Sequence, residues 1–353
     1  LQTASVLGRR FSLRVLSAVS SRGTELEASL ERIASDEFLV EAEVDGEVGY
    51  EFKHALTQAV AYRSAGPTRR AATHETAGLC IETLYAGRTH EVEGLLAHHW
   101  SHTEDAPRAV AYLERAAASS ARGYAHSEAA TTLREALHHA ERLPQDERER
   151  RVTDLSLRLV ASLYFLGRMD ESEELLAGLG ARIDAAFDPS LACRYQFWTG
   201  HTASHLGKPD TAERSARAAI ELAEHLDDPA ALGRARYIRV RQGWWTGAFS
   251  DGVSEGRKAI PLLEAAGEAW WLGHCHFFVA HSLYSMGRFD EALEEAARGG
   301  AIGDAIADPR LKSWAAWAQG LYEAARGNAQ IAIEACRLGL DLSPDAPNTA
   351  WAL

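Results

Sequence analysis

The sequence predicts an all-α chain, a solenoid of helical hairpins on a 40-residue repeat, preceded by a short segment that mixes helices with one β-hairpin. Three observations carry this. A glycine recurs every 40 residues, at Gly167, Gly207, Gly247, Gly287 and Gly327. The phrases that follow are alike: Gly167-Arg-Met-Asp-Glu-Ser172, Gly207-Lys-Pro-Asp-Thr-Ala212, Gly287-Arg-Phe-Asp-Glu-Ala292 and Gly327-Asn-Ala-Gln-Ile-Ala332, with Gly247-Ala-Phe-Ser-Asp-Gly252 the degenerate copy. A second mark keeps the same step, at Asp188-Pro189, Asp228-Pro229 and Asp308-Pro309, with Glu268-Ala269 standing in once. A period of this size belongs to units that bury their apolar faces only against their neighbours.

Residues 1–65 differ from the rest. Helices are expected over 1–8 and 12–20, with Ser12 as an N-cap. Thr24 caps a third, which sets Leu26, Leu30 and Ile33 on one face and Glu27 at the capping-box position. Residues 38–44 then alternate apolar and polar, Asp45-Gly46 turns the chain, and residues 48–52 return. Three helices and a hairpin make a winged-helix pattern. Residues 54–63 read as a helix, and residues 66–150 as connecting helical hairpins and a first degenerate repeat, with helices from Pro67 and over 90–103, 107–122 and 124–142. The last carries Ala129, Leu133, Ala136 and Ala140 at helical spacing. The mixed-charge run Asp146–Arg151 reads as a solvated linker or helix start.

Residues 151–353 form the regular array. In each unit the periodic Gly takes the left-handed conformation that ends the first helix. The second helix ends near Asp-Pro, where proline stops one helix and starts the next. Gly200, Ala280 and Gly320 form one small-residue column, completed by Val160 and Val240. Ala212, Gly252, Ala292 and Ala332 form another. Small side chains at these points let paired helices approach.

Composition removes several functions. The net charge of −13 argues against a nucleic-acid binder, and the third helix, carrying Glu25, Glu27 and Glu31 with Asp36 and Glu37 just beyond, would be repelled by phosphate. No apolar run approaches the roughly 20 residues that span a bilayer, and no basic-then-apolar leader opens the chain. Cys80, Cys193, Cys275 and Cys336 form no Cys-x-x-Cys pair; free thiols filling the core suit a cytoplasmic protein. No Gly-x-x-x-x-Gly-Lys-Ser/Thr loop and no Gly-x-Ser-x-Gly elbow occurs, so neither nucleotide binding of that kind nor hydrolysis is expected. No cofactor is expected. The chain opens at Leu1, and Thr349–Leu353 fall in register with the start of another repeat, so it reads as a piece of a longer protein. The histidine pairs His98/His102 and His201/His205, four apart on helices, could hold zinc on one face, but the spacing supplies no third ligand and no metal is expected.

The repeats resemble tetratricopeptide repeats in a lengthened form. The small residue seven positions before the turn Gly and the Ala five positions after it match that family's pattern. Tyr164 and Tyr284, three residues before a turn Gly, stand close to the family's tyrosines. The front of the chain is similar to large bacterial signalling ATPases, through Ala4–Ser12, through Tyr50–Tyr62 with its Phe-x-His-Ala-Leu phrase, and through Leu96-Ala-His-His-Trp100. In those proteins an AAA-like nucleotide-binding module precedes a winged helix and repeats, joined to a class III cyclase or to a LuxR-type DNA-binding domain. The resemblance implies a right-handed superhelix of hairpins and a non-catalytic regulatory or sensor scaffold. It also implies, as partner, the ATPase module of the same parent chain.

It implies a binding face as well, because in tetratricopeptide repeats the first helix of each unit lines the concave groove. Register then gives columns 40 residues apart: Phe197, Tyr237, Phe277 and Trp317; Arg194, Arg234, His274 and Trp314; His201, Arg241 and His281. Ser204, Trp244 and Tyr284 lie near the turns, with His205 and Trp245 beside them. Guanidinium forks bind carboxylate or phosphate and ring faces supply stacking area. The expected ligand is therefore a protein or peptide segment, acidic in character, or a small anionic effector. Its site is Arg194, His201, Arg234, Tyr237, Arg241, Trp244, His281 and Tyr284. Two alternatives stand beside it: the aromatic column packs between helices with the arginines paired to Glu or Asp, and the array is a structural or oligomerisation arm that restrains the ATPase.

Overall fold

A computed structural model describes residues 1–20, 23, 25–44, 46–180, 183 and 188–342. The chain divides into two compact units, Leu1–Leu166 and Gly167–Leu353.

The first unit begins with α1 (Gln2–Leu7), β1 (Arg10–Ser12), α2 (Leu13–Val19), α3 (Glu25–Ser35), β2 (Leu39–Val44) and β3 (Glu47–Phe52). The strands form one antiparallel sheet in the order β1-β3-β2. β3 lies in the middle, with Phe11 facing Tyr50 across one edge and Leu39 facing Phe52 across the other. Phe11, Leu16, Leu30, Leu39 and Phe52 fill the core beneath it. β1, at three residues, carries too little alternation to show in the sequence. Gly49 is required where β1 meets β3, because a Cβ there would lie 2.5 Å from the Phe11 carbonyl oxygen. Ser12 caps α2 as expected, its hydroxyl accepting from the Val15 amide at 3.1 Å. The expected cap Thr24 and turn residue Asp45 lie outside the described residues.

Helices follow: α4 (Ala55–Ser64), α5 (Pro67–Leu84), α6 (Glu93–Ser101), α7 (Ala106–Arg122), α8 (His126–Ala140) and α9 (Gln145–Phe165). Pro67 opens α5 as expected. Ahead of Pro107 it is Asp105 that caps α7, accepting from the Arg108 amide. Ala129, Leu133, Ala136 and Ala140 are buried. The mixed-charge run is the first turns of α9, where Asp146 and Glu147 face the positive helix end.

The second unit is a stack of helical hairpins: α10 (Met169–Leu179), α11 (Pro189–His205), α12 (Pro209–His225), α13 (Pro229–Trp245), α14 (Phe249–Ala265), α15 (Ala269–Ser285), α16 (Phe289–Ala305), α17 (Pro309–Ala325) and α18 (Ala329–Asp341). It is an all-α solenoid. The periodic glycines all have positive φ, between 69° and 86°. At Gly287 the Gly amide donates to the Tyr284 carbonyl and the Arg288 amide to the Leu283 carbonyl, both at 2.9 Å, which closes α15 in a Schellman motif. The Asp of each Asp-Pro step does more than precede proline. Asp188, Asp228 and Asp308 cap α11, α13 and α17 with their carboxylates. Glu268 makes no such cap. Ala280, Gly200 and Gly320 are buried, and a Cβ on Gly200 would lie 3.2 Å from the Ala212 carbonyl oxygen of the paired helix. The expected start of a further repeat, Thr349–Leu353, lies outside the described residues.

Candidate functional site

The 40-residue register sets successive first helices side by side, so α11, α13, α15 and α17 share one layer of rings. Phe197, Trp198 and His201 come from α11, Tyr237 and Trp244 from α13, Trp271, His274, Phe277, Phe278 and His281 from α15, and Trp314, Trp317 and Tyr322 from α17. Tyr237 is completely buried. It stacks on His274 with centroids 5.4 Å apart, and its hydroxyl meets His274 Nδ1 at 3.1 Å. His274 stacks in turn on Trp314 at 4.4 Å. His281 stacks on Trp317 at 4.8 Å, and its Nδ1 lies 2.7 Å from the Tyr322 hydroxyl. Trp271 reaches across two repeats to Phe197, at 5.2 Å, and to His201, at 5.3 Å. Trp198, Trp271, Phe278 and Tyr322 were not among the expected site residues. Register marks equivalent positions in adjacent units, whereas Trp271 depends on how far its ring extends past the unit between.

Of the expected residues, His201, Tyr237, Arg241 and His281 are buried in this layer, while Arg194, Arg234, Trp244 and Tyr284 are half-buried. Trp244 contacts His281 at 5.3 Å and Phe278 at 5.6 Å. Tyr284 stacks on Tyr322 at 4.8 Å. The Arg241 guanidinium donates to the Ser204 hydroxyl and lies 5.4 Å from the Trp245 ring and 5.6 Å from Phe278. Arg234 forms an ion pair with Glu268, which stands at the N-cap of α15 without a capping bond. Arg236 and Arg239 reach instead to the paired helix, where Glu255 of α14 accepts from both at 3.0 and 3.3 Å. The ring at the edge of the layer is Trp245, which is 51% exposed.

Burial governs the electrostatics. His201 and His274 are held well below the ordinary imidazole range, first by desolvation and then by His205 and Arg241 nearby. Burial lowers His281 to about 4, and lowers His205 to about 3 with help from Arg241. These rings are neutral at neutral pH. They hydrogen-bond and stack, and their low basicity makes them weak general bases. The thiol of Cys193 is raised to about 11 and that of Cys275 higher still, both by burial, so neither supplies a thiolate.

Among the described residues one trio of candidate metal ligands lies close together: His74, His98 and His102 of the first unit. Among the described residues, no helix is long and apolar enough to cross a membrane.

No family model matches the sequence, and no curated protein matches it. Solved structures match it in fold. A signal transduction ATPase with numerous domains from Pyrococcus horikoshii, described as having a tetratricopeptide repeat sensor, is 12% identical with a TM-score of 0.51. The match covers 99% of this chain and 58% of that one, so this chain spans less than two thirds of that protein's length. The apo form of RapI is 10% identical with a TM-score of 0.51, over 80% of this chain and 94% of the other. At these identities the likeness is one of fold: the chain is similar to helical-repeat proteins.

Proposed function

We propose that this chain is a non-catalytic regulatory scaffold that binds a protein or peptide segment, or a small anionic effector, on the ring layer formed by α11, α13, α15 and α17. The observation that carries this reading is Arg241, a buried guanidinium set among aromatic rings under a largely exposed Trp245. A guanidinium among ring faces is suited to a carboxylate or phosphate, and exposed aromatic rings are typical anchors of protein contacts. In this reading His201, Tyr237, Arg241 and His281 form the floor, and Arg194, Arg234, Trp244 and Tyr284 form the rim. The sensor role named for the archaeal ATPase fits such a layer, as does a parent chain with an ATPase module and a LuxR-type or cyclase output. The segments 1–65, 66–150 and 151–353 then serve as winged-helix joint, connecting hairpins and sensor. A cytoplasmic setting is part of the same proposal.

The test is a calorimetric panel of acidic peptides and small di- and tricarboxylates or phosphates against three proteins: wild type, Trp245→Ala and Arg241→Met. Arg241→Met replaces the cation with an apolar chain of similar length, and circular dichroism checks that the variant is folded. It should lose about tenfold or more in affinity for an anionic ligand, the order expected when a charge-assisted hydrogen bond is removed. Affinity unchanged in both variants would move binding off this layer. Failure of the whole panel, with wild type self-associating through the same face, would favour the structural arm.

A further inference from the structure

The sequence offers His98 and His102 as an i, i+4 pair with no third partner. The fold supplies one. His74 of α5 comes against the two from across the helix pair, and one ring nitrogen from each of the three lies within 4.8 Å of the others. His74 stacks on His102 with centroids 4.5 Å apart, His98 lies 4.7 Å from His102, and His74 lies 5.5 Å from His98. His74 is fully buried, whereas His98 and His102 are exposed. We propose that His74, His98 and His102 form a zinc(II) site, an all-imidazole set with its remaining position open to a neighbouring acidic cavity.

Two of the three ligands are held by hydrogen bonds. His102 Nδ1 lies 2.8 Å from the His98 carbonyl oxygen, so Nδ1–H donates there and Nε2 presents its lone pair. His74 is gripped from two sides, by the Tyr62 hydroxyl at Nε2 and by His99 Nδ1 at its own Nδ1, each at 3.0 Å. It keeps one of these contacts as its outer-shell support and gives the other nitrogen to the metal. A tetrahedral zinc with bonds of about 2.0–2.1 Å needs its nitrogens about 3.4 Å apart. Turning the exposed rings of His98 and His102 closes the difference, without moving the buried ring.

The surroundings favour a cation. A cavity of about 420 Å³ is lined by both exposed histidines together with Glu93, Glu128 and Glu135. These carboxylates give an entry route of the right sign. Three imidazoles select zinc or a neighbouring transition ion over magnesium or calcium, which require oxygen donors. Water or the Glu135 carboxylate completes the fourth position.

The experiment uses the untagged full chain, stripped with chelator. Titration with ZnCl2 should give one tight equivalent that magnesium and calcium do not reproduce. Cobalt(II) in its place should give the strong visible absorption of a four-coordinate site. His98→Ala and His102→Ala remove exposed side chains and leave the fold intact, and each should weaken zinc by more than about a hundredfold, beyond what loss of an outer-shell partner costs. His205→Ala, in the other unit, should leave it unchanged. His74→Ala is informative where circular dichroism shows it folded; the two exposed variants decide the matter otherwise. Zinc affinity that survives either exposed variant, a six-coordinate cobalt spectrum, or no tight equivalent in wild type overturns the site.

Discussion

Replacing Gly287 isolates the energy of the repeat turn from the energy of packing. Gly287 has φ +75°, and a Cβ built there meets no atom within 4 Å. Any cost is therefore conformational. An ordinary L-residue held in the left-handed region loses about 1–2 kcal/mol. Removing glycine's freedom in the unfolded chain returns about 0.4–1 kcal/mol. Alanine should thus cost about 0.5–1 kcal/mol, and valine, with its branched Cβ, about 1–2 kcal/mol. Asparagine, which tolerates this region, should cost least of the three. The Schellman bonds from Gly287 and Arg288 resist relief by local rearrangement, because losing them exposes the carbonyls of Tyr284 and Leu283. Urea denaturation of the three variants measures the order, with the slope of the transition kept constant. Gly243→Ala is the contrasting control: its Cβ would lie 2.5 Å from the Gly252 Cα, so its cost is steric. An unchanged midpoint for Gly287→Val, or equal losses for valine and asparagine, would refute the capping argument.

Three further outcomes are expected. Glu255→Ala should lose about 2–3 kcal/mol, less than the 3–5 kcal/mol of a broken buried pair, because Arg236 keeps Glu224 and Arg239 keeps Glu213; thermal or urea unfolding reads it. Acid should destabilise the second unit in two stages. His201, His274 and His281 sit below 6.5 when folded, so stability is full above that value and falls as pH drops below it, for His281 down to about 4. Each contributes up to about 1.4 kcal/mol per pH unit. Glu255, whose burial is outweighed by hydrogen bonds from Lys258 and Arg236, is held below 4.5 and adds its loss only below that value. Urea midpoints that stay flat from about pH 7 to pH 5 would contradict the neutral-histidine assignment. Titration with ATP and magnesium should give no heat, since the chain has no phosphate-binding loop; micromolar binding would reveal a nucleotide site of another kind.

What the sequence made legible was whatever repeats. The turn glycines, the helix pairs and the small columns follow from a unit that solves the same packing problem each time, so five copies of Gly and three of Asp-Pro are five and three observations of one constraint. What it hid depends on reach or on single copies. The capping role of Asp188, Asp228 and Asp308 was masked by the stronger signal of the following proline. The depth of Tyr237 and His201 was not legible, because register says which side chains are neighbours and not how deep they lie. Trp271 belongs to one repeat and fills space in another. His74 joins His98 and His102 through the docking of α5 on α6, and nothing in the spacing of α5 announces it.

The degenerate third phrase shows how a weak sequence signal and a well-formed structure coexist. Gly247-Ala-Phe-Ser-Asp-Gly252 departs most from the pattern, yet α13 and α14 each run a full 17 residues. The departure is itself the packing solution. Where three other units place alanine on the second helix and the first places Ser172, this one has Gly252, and it faces a second glycine, Gly243. Two glycines at one crossing let the backbones approach until a single Cβ would collide. That closeness fits the cross-links beside it. Arg236 and Arg239 of α13 both reach Glu255 of α14, three residues beyond Gly252. The opposite side of α13 carries Tyr237, Arg241 and Trp244 into the ring layer. A repeat that binds its own second helix by charge on one side and close glycine contact at its centre can hold a buried arginine on the other. The loss of consensus at Gly252 therefore has a physical origin, the close approach of α13 and α14 at the Gly243–Gly252 crossing.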